Sequence, residues 1–266
     1  MRAQNIRFGE LETKVLFSLE EAEAGLVTSS ELAQILKIPG NRANKLAWQL
    51  ARKNRLIRIR KGVYLFAPLK AGPKGNWSEE SLALVSQLLK DEPYCISFWT
   101  AFNYHGLTEQ VPLVTQAAVL HRRRSFLYLG SKLEFIKVKR LGEWQEEKIA
   151  GRTVKTATIE QSLIDGLSHP EYCGGMSEVC KALWEARKRI DKKKLEAMAL
   201  NSKDAVRRRL GFLLELLGLP PLKIKCKFIG LRWLDSSGAK EVKEKSAKWG
   251  LLLNLTEKQL TYWKES

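Results

Sequence analysis

Forty-seven consecutive positions, from Leu32 to Ser78, contain no Asp or Glu and eleven Lys or Arg, in a chain that carries 29 acidic residues. Leu36, Leu46, Leu50, Ile57, Ile59, Val63, Leu65 and Phe66 recur through the stretch at helix and strand spacing, so it reads as a folded unit and not a basic tail. A folded region with charge of only one sign must display that charge on its surface. Such a surface is an electrostatic footprint for a polyanion, and the usual polyanion is nucleic acid.

The periodicity predicts how this region folds. Leu11, Val15, Leu16 and Leu19 mark a first helix over 10–23, which Gly25 ends. Thr28-Ser-Ser-Glu31 has the form of a capping box opening a short second helix with Leu32, Ile35 and Leu36 inward. Lys37-Ile-Pro-Gly40 reads as a tight turn, with glycine expected to supply the positive φ, and a third helix follows over about 41–54. Two strands, 55–60 and 63–66, bend at Lys61-Gly62. Three helices and a hairpin make a winged helix-turn-helix, expected over residues 1–70. The Pro/Gly-rich segment around 68–77 supplies a linker at 71–76, and an α+β domain is expected over 77–266.

Unwrapped at 100° per residue, the third helix puts Ala43, Leu46, Ala47 and Leu50 on one side. Asn41, Asn44, Lys45, Trp48 and Arg52 lie opposite, with Arg42 and Gln49 at the margins. Asn and Gln can pair with the adenine edge, and Arg and Lys with guanine or phosphate. Trp48 is open to two roles, contact with a thymine methyl or sugar, or packing on the second domain. Strand alternation sends Arg58 and Arg60 to one face with Ile57 and Ile59 on the other, and Lys61 joins the arginines at the tip. With Ser30 from the second helix, these residues are the candidate DNA contacts. Ile38–Ala43 also has some likeness to the helix-hairpin-helix loop of repair enzymes, but Arg42 stands where that loop has its second glycine.

Beyond the linker, helices are expected at 81–89, 97–104, 157–167, 176–190, 195–200 and 205–217. Strands are expected at 116–120, 126–129, 133–138, 152–156 and 223–228, followed by an apolar run at 251–255. Arg122, Arg123 and Arg124 form a second basic cluster, open to secondary contacts with DNA or with an acidic protein surface. Arg207–Arg209 form a third, which cannot serve one helix face and is read as structural. No Asp-x-Asp pair, Gly-x-Ser-x-Gly, phosphate-binding glycine loop or His-Glu-x-x-His occurs. The spacing of Cys95, Cys173, Cys180 and Cys226 predicts reduced thiols, with neither a metal site nor a cofactor. The N-terminus lacks a secretory apolar region, and no apolar run is long enough to span a bilayer; the expectation is a cytoplasmic protein with no membrane partner.

Four segments in order, Arg60-Lys-Gly-Val-Tyr64, Ile96–Glu109, Thr158–Asp165 and Arg208–Glu215, resemble the AbiEi-type antitoxins, predicted transcriptional regulators of viral defence systems. The resemblance runs over about residues 10–218. It implies a winged helix that represses its own operon by binding inverted repeats in double-stranded promoter DNA, with two protomers on the site. It also implies a second domain that counteracts a nucleotidyltransferase-like toxin without a stable complex, as in type IV toxin–antitoxin systems, and no enzymatic activity. Two other readings fit the residues. One is a nuclease or glycosylase delivered by the basic domain, with Asp165 or Glu160 as its acid; the other is a module whose basic face binds an acidic protein.

Overall fold

A computed structural model describes residues 7–69, 81–89, 92–110, 113–128, 131–149 and 151–264. The chain divides into two compact units, Met1–Lys90 and Asp91–Ser266, and both mix helices with sheet.

The first unit begins with helix α1 (Glu10–Glu21), strand β1 (Leu26–Thr28), helix α2 (Ser29–Leu36) and helix α3 (Gly40–Arg52). Strands β2 (Leu56–Arg60) and β3 (Val63–Phe66) follow, and β3 lies between β1 and β2 in an antiparallel sheet. The apolar stripes meet in one core: Val15, Leu16 and Leu19 of α1, Leu32 and Leu36 of α2, Ala43, Leu46, Ala47 and Leu50 of α3, and Val27, Leu56, Tyr64 and Phe66 of the sheet. The capping box forms as the sequence predicts. Thr28 Oγ1 accepts from the Glu31 N–H at 3.1 Å, and Glu31 Oε2 accepts from the Thr28 N–H at 2.6 Å.

The α2–α3 turn departs from expectation. Its left-handed residue is Lys37, at φ 51°, whereas Gly40 is the first residue of α3. The Ile38 N–H closes onto the Ala33 carbonyl at 3.0 Å, the six-to-one bond of a Schellman ending, and this is what places the positive φ at Lys37. Helix α4 (Ser81–Leu88) also belongs to the first unit: Gln87 Oε1 accepts from the Leu26 N–H at 2.8 Å. The expected linker, 71–76, lies outside the described residues.

The second unit carries a mixed six-stranded sheet built from β4 (Tyr94–Ile96), β5 (Val114–Val119), β6 (Phe126–Tyr128), β7 (Ser131–Lys137), β8 (Trp144–Ile149) and β9 (Arg152–Ala157). Their order is β6-β7-β5-β4-β9-β8. Helix α5 (Phe98–Tyr104) follows β4; α6 (Ile159–Ser168), α7 (Met176–Ala186), α8 (Lys192–Leu200) and α9 (Asp204–Leu216) follow β9. Helix α6 packs against α5, α7, α8 and α9. Strands β10 (Arg232–Trp233), β11 (Glu244–Ser246) and β12 (Leu251–Leu253) form a small sheet, and α10 (Glu257–Leu260) closes the described chain.

The strand expected at 223–228 does not form. Helix side chains satisfy that backbone where a neighbouring strand would: Glu196 accepts from the Lys223 N–H, Arg207 donates to the Lys225 carbonyl, and Asp204 accepts from the Lys227 N–H, each at 2.7 Å. Arg207–Arg209 are structural, as expected. Arg208 is fully buried, donates through Nη1 to the carbonyls of Gly230 (2.6 Å) and Gly250 (3.2 Å), and pairs with Asp204 at 2.6 Å. Arg209 donates to the carbonyls of Leu167 and Trp233. No helix among the described residues is long and apolar enough to cross a membrane.

Candidate nucleic-acid interface

Helix α3 buries Ala43, Leu46, Ala47 and Leu50, and its other side is open. Asn41, Arg42, Asn44, Lys45, Trp48 and Arg52 are exposed or partly so, and Gln49 is half-buried. Trp48 is 55 % exposed, and the Arg52 guanidinium lies 4.9 Å from its ring centroid, a cation–π contact that holds both side chains on the surface. Asn41 Oδ1 accepts from the Arg42 N–H at 2.7 Å, so Asn41 has an additional role in shaping the first turn.

The β2–β3 hairpin stands beside the start of α2. Arg58, Arg60 and Lys61 are exposed while Ile59 is buried. The ladder shifts between Arg58 and Arg60, a bulge that leaves both arginines outward. Gly62, at φ 74°, makes the bend, and its carbonyl accepts from the Ser29 N–H at 3.0 Å. That bond ties the hairpin bend to the first turn of α2, on which Ser30 is exposed.

The nine cations between Lys37 and Lys61 do not all face outward. Lys53 pairs with Glu12 at 2.6 Å and donates to the Arg7 carbonyl, tying α3 to α1. Arg55 is buried and reaches the Pro68 carbonyl at 3.4 Å. Sequence spacing carries no sign of either role, because both partners are distant in the chain. Seven remain exposed, namely Lys37, Arg42, Lys45, Arg52, Arg58, Arg60 and Lys61, and none has an ion pair among the described residues. A surface of seven unpaired cations repels itself and gains most from an anion with repeated charges.

The candidate basic cluster at 122–124 is partly tied down. Arg123 makes a two-pronged pair with Glu92, whereas Arg122 and Arg124 are exposed. Of the acids considered for chemistry, Glu160 is buried and accepts from the Asp191 N–H at 2.9 Å. Asp165 accepts from Ser97 Oγ at 2.5 Å and from Gln161 Nε2 at 2.8 Å, and burial pushes its carboxyl up to about 6. His105 bonds the Ala157 carbonyl through Nε2, and His169 pairs with Glu171.

Residues 14–67 match a family described as transcriptional regulator, AbiEi antitoxin. Over this segment the chain is similar to the AbiEi antitoxin family. The segment runs from within α1 to just past the end of β3, so it contains all seven exposed cations and the polar face of α3. That similarity supports a DNA-binding antitoxin regulator. The match ends before the second unit, short of the residue 218 reached by the resemblance in the sequence. In fold, the chain is similar to a crystal structure of the RV2827C protein from Mycobacterium tuberculosis. The TM-score is 0.69 at 15% identity, covering 98% of this chain and 96% of that one. No curated protein matches the sequence.

Proposed function

We propose that α1, α2, α3 and the β2–β3 hairpin work as a winged helix-turn-helix through which this AbiEi-type regulator represses its own operon. In this reading α3 enters the major groove, where Asn44, Lys45, Gln49 and Arg42 address base edges and Trp48 packs on a thymine methyl or sugar. Arg58, Arg60 and Lys61 lie along the phosphates and fix register. Two protomers bind an inverted repeat, and the second unit counteracts a nucleotidyltransferase-like toxin without a stable complex, in a cytoplasmic defence system.

The observation that carries this reading is the coincidence of seven unpaired cations with a groove-sized polar helix face inside the matched segment. A transcriptional reporter under the chain's own promoter tests it. Repression by the intact chain, abolished by Asn44→Ala with Lys45→Ala, is the expected result. The same double variant should still rescue growth of cells expressing the neighbouring toxin from a separate promoter. Failure of rescue alongside repression would show that neutralisation needs the α3 surface and would overturn the division of labour.

A further inference from the structure

In the second unit a cavity of about 690 Å³ opens between the 137–143 segment, α6 and α8, within the size range of small-molecule sites. Three observations set it apart from a surface cleft. Its rim carries Lys137, Lys139 and Lys203, which have no carboxylate partner among the described residues, and Arg140, which donates to the Asn201 carbonyl. Lys194, by contrast, is neutralised by Glu143 at 2.6 Å and Glu160 at 3.6 Å.

The inner wall is a fixed polar relay. Asp165 takes one hydrogen bond on each carboxylate oxygen, from Ser97 and Gln161, leaving further acceptor positions for donors in the cavity. The Gln161 amide also accepts from the Glu143 N–H at 3.2 Å. It lies so close under Gly142 that a Cβ there would fall 2.0 Å from it. The third observation is backbone strain. Phe98, next to Ser97 and lining the same cavity, holds φ 57°, a left-handed conformation that strains a bulky residue and concentrates at functional sites.

We propose that this cavity binds a nucleotide unit, with its phosphate against Lys137, Lys139 and Lys203 and its O–H and N–H donors on Asp165. Positive charge at the mouth and an anchored acceptor inside suit a ligand that is anionic at one end and donor-rich at the other. Organic phosphates of the nucleotide class have that polarity. The unit could be a free nucleotide or the phosphorylated end of a strand, two sources with one chemistry.

Calorimetry of the full chain with the four ribonucleoside triphosphates, inorganic tripolyphosphate, and a dinucleotide with and without a 5′-phosphate tests the proposal. A nucleotide or the phosphorylated dinucleotide should bind at least roughly tenfold more tightly than tripolyphosphate. Whichever of the two binds better identifies the source. Asp165→Asn should weaken nucleotide binding by about tenfold and leave tripolyphosphate unchanged, because only the nucleotide offers donors. Lys137→Gln, Lys139→Gln and Lys203→Gln together should weaken both. No nucleotide binding at about 1 mM, the scale of the weakest specific affinities, would overturn the proposal. So would equal affinity for nucleotide and tripolyphosphate, or binding abolished by Arg58→Ala and Arg60→Ala but retained in the lysine variant.

Discussion

The N–H of Ser29 donates to the carbonyl of Gly62 at 3.0 Å, joining the first residue of α2 to the bend of the β2–β3 hairpin. Ser29 follows the cap residue Thr28, so it holds the helix position at which proline is tolerated, and the extended Thr28 backbone (φ −99°, ψ 157°) suits a following proline. Ser29→Pro therefore deletes this one bond and spares the helix. It should cost about 1 kcal/mol in urea unfolding with helix content unchanged. Looser placement of Arg58, Arg60 and Lys61 should also weaken binding to specific and random DNA alike, as read by anisotropy.

Helix and hairpin should fail differently. Arg58→Ala with Arg60→Ala should lower affinity on every duplex by a similar factor, because phosphate contacts carry no sequence information. Asn44→Ala or Lys45→Ala should instead narrow the gap between operator and random DNA, by about 1–3 kcal/mol for each base edge no longer read. Competition binding on the two duplexes separates these patterns, and the reverse pattern would mean that the two elements exchange roles.

Arg208 anchors the end of the chain. Arg208→Met removes two hydrogen bonds to backbone carbonyls and leaves Asp204 without its ion-pair partner. A destabilisation of about 1–3 kcal/mol is expected, chiefly from the Gly230 and Gly250 carbonyls left without their donor, since Asp204 keeps the Lys227 N–H. Adding Asp204→Asn should restore part of it, and urea midpoints of the single and double variants measure the coupling.

Stability should also depend on Asp165. Burial raises its carboxyl to about 6, while the Ser97 and Gln161 hydrogen bonds oppose the shift. A raised carboxyl favours the protonated fold, so its contribution is complete below the unfolded value near 3.8 and disappears as pH rises through 6. The full effect is at most about 3 kcal/mol, since the group borders an open cavity. His105, which burial lowers, contributes with the opposite sign in the neighbouring window, so the informative quantity is a difference. Asp165→Asn should be more stable than the parent at pH 8, and the gap should narrow as pH falls through 6 and close only below about 3.8. A constant gap across that range contradicts the assignment.

Local patterns carried much of the fold. The helices of the first unit, its core stripe and its hairpin follow from periodicity, a capping box and a Lys-Gly bend, all encoded within a few residues. Strand β8 escaped the same reasoning because Trp144-Gln-Glu-Glu-Lys is exposed along most of its length, so an edge strand reads as a polar loop. The 223–228 strand was expected for the converse reason: its alternation is real, but side chains of α8 and α9 take up its backbone groups. Charge was legible in sum and not residue by residue. Lys53, Arg55 and Arg123 look like their neighbours in sequence, and only long-range partners reveal that they hold the structure together. The segment Arg208-Arg-Leu-Gly211 has a structural basis that lies far along the chain, where Arg208 and Arg209 bond residues 230–250 and Gly211 leaves room for the Trp249 ring.

The most direct test of the central claim is anisotropy of the full chain on its own promoter's inverted repeat and on a scrambled duplex, across a range of salt. If about four to six of the seven exposed cations meet phosphates, log affinity should fall against log salt with a slope of about −4 to −5 per protomer. The repeat should be preferred by at least roughly a thousandfold. Equal affinity for the two duplexes with a flat salt dependence would contradict both the electrostatic surface and the reading of α3 as the helix that selects a sequence.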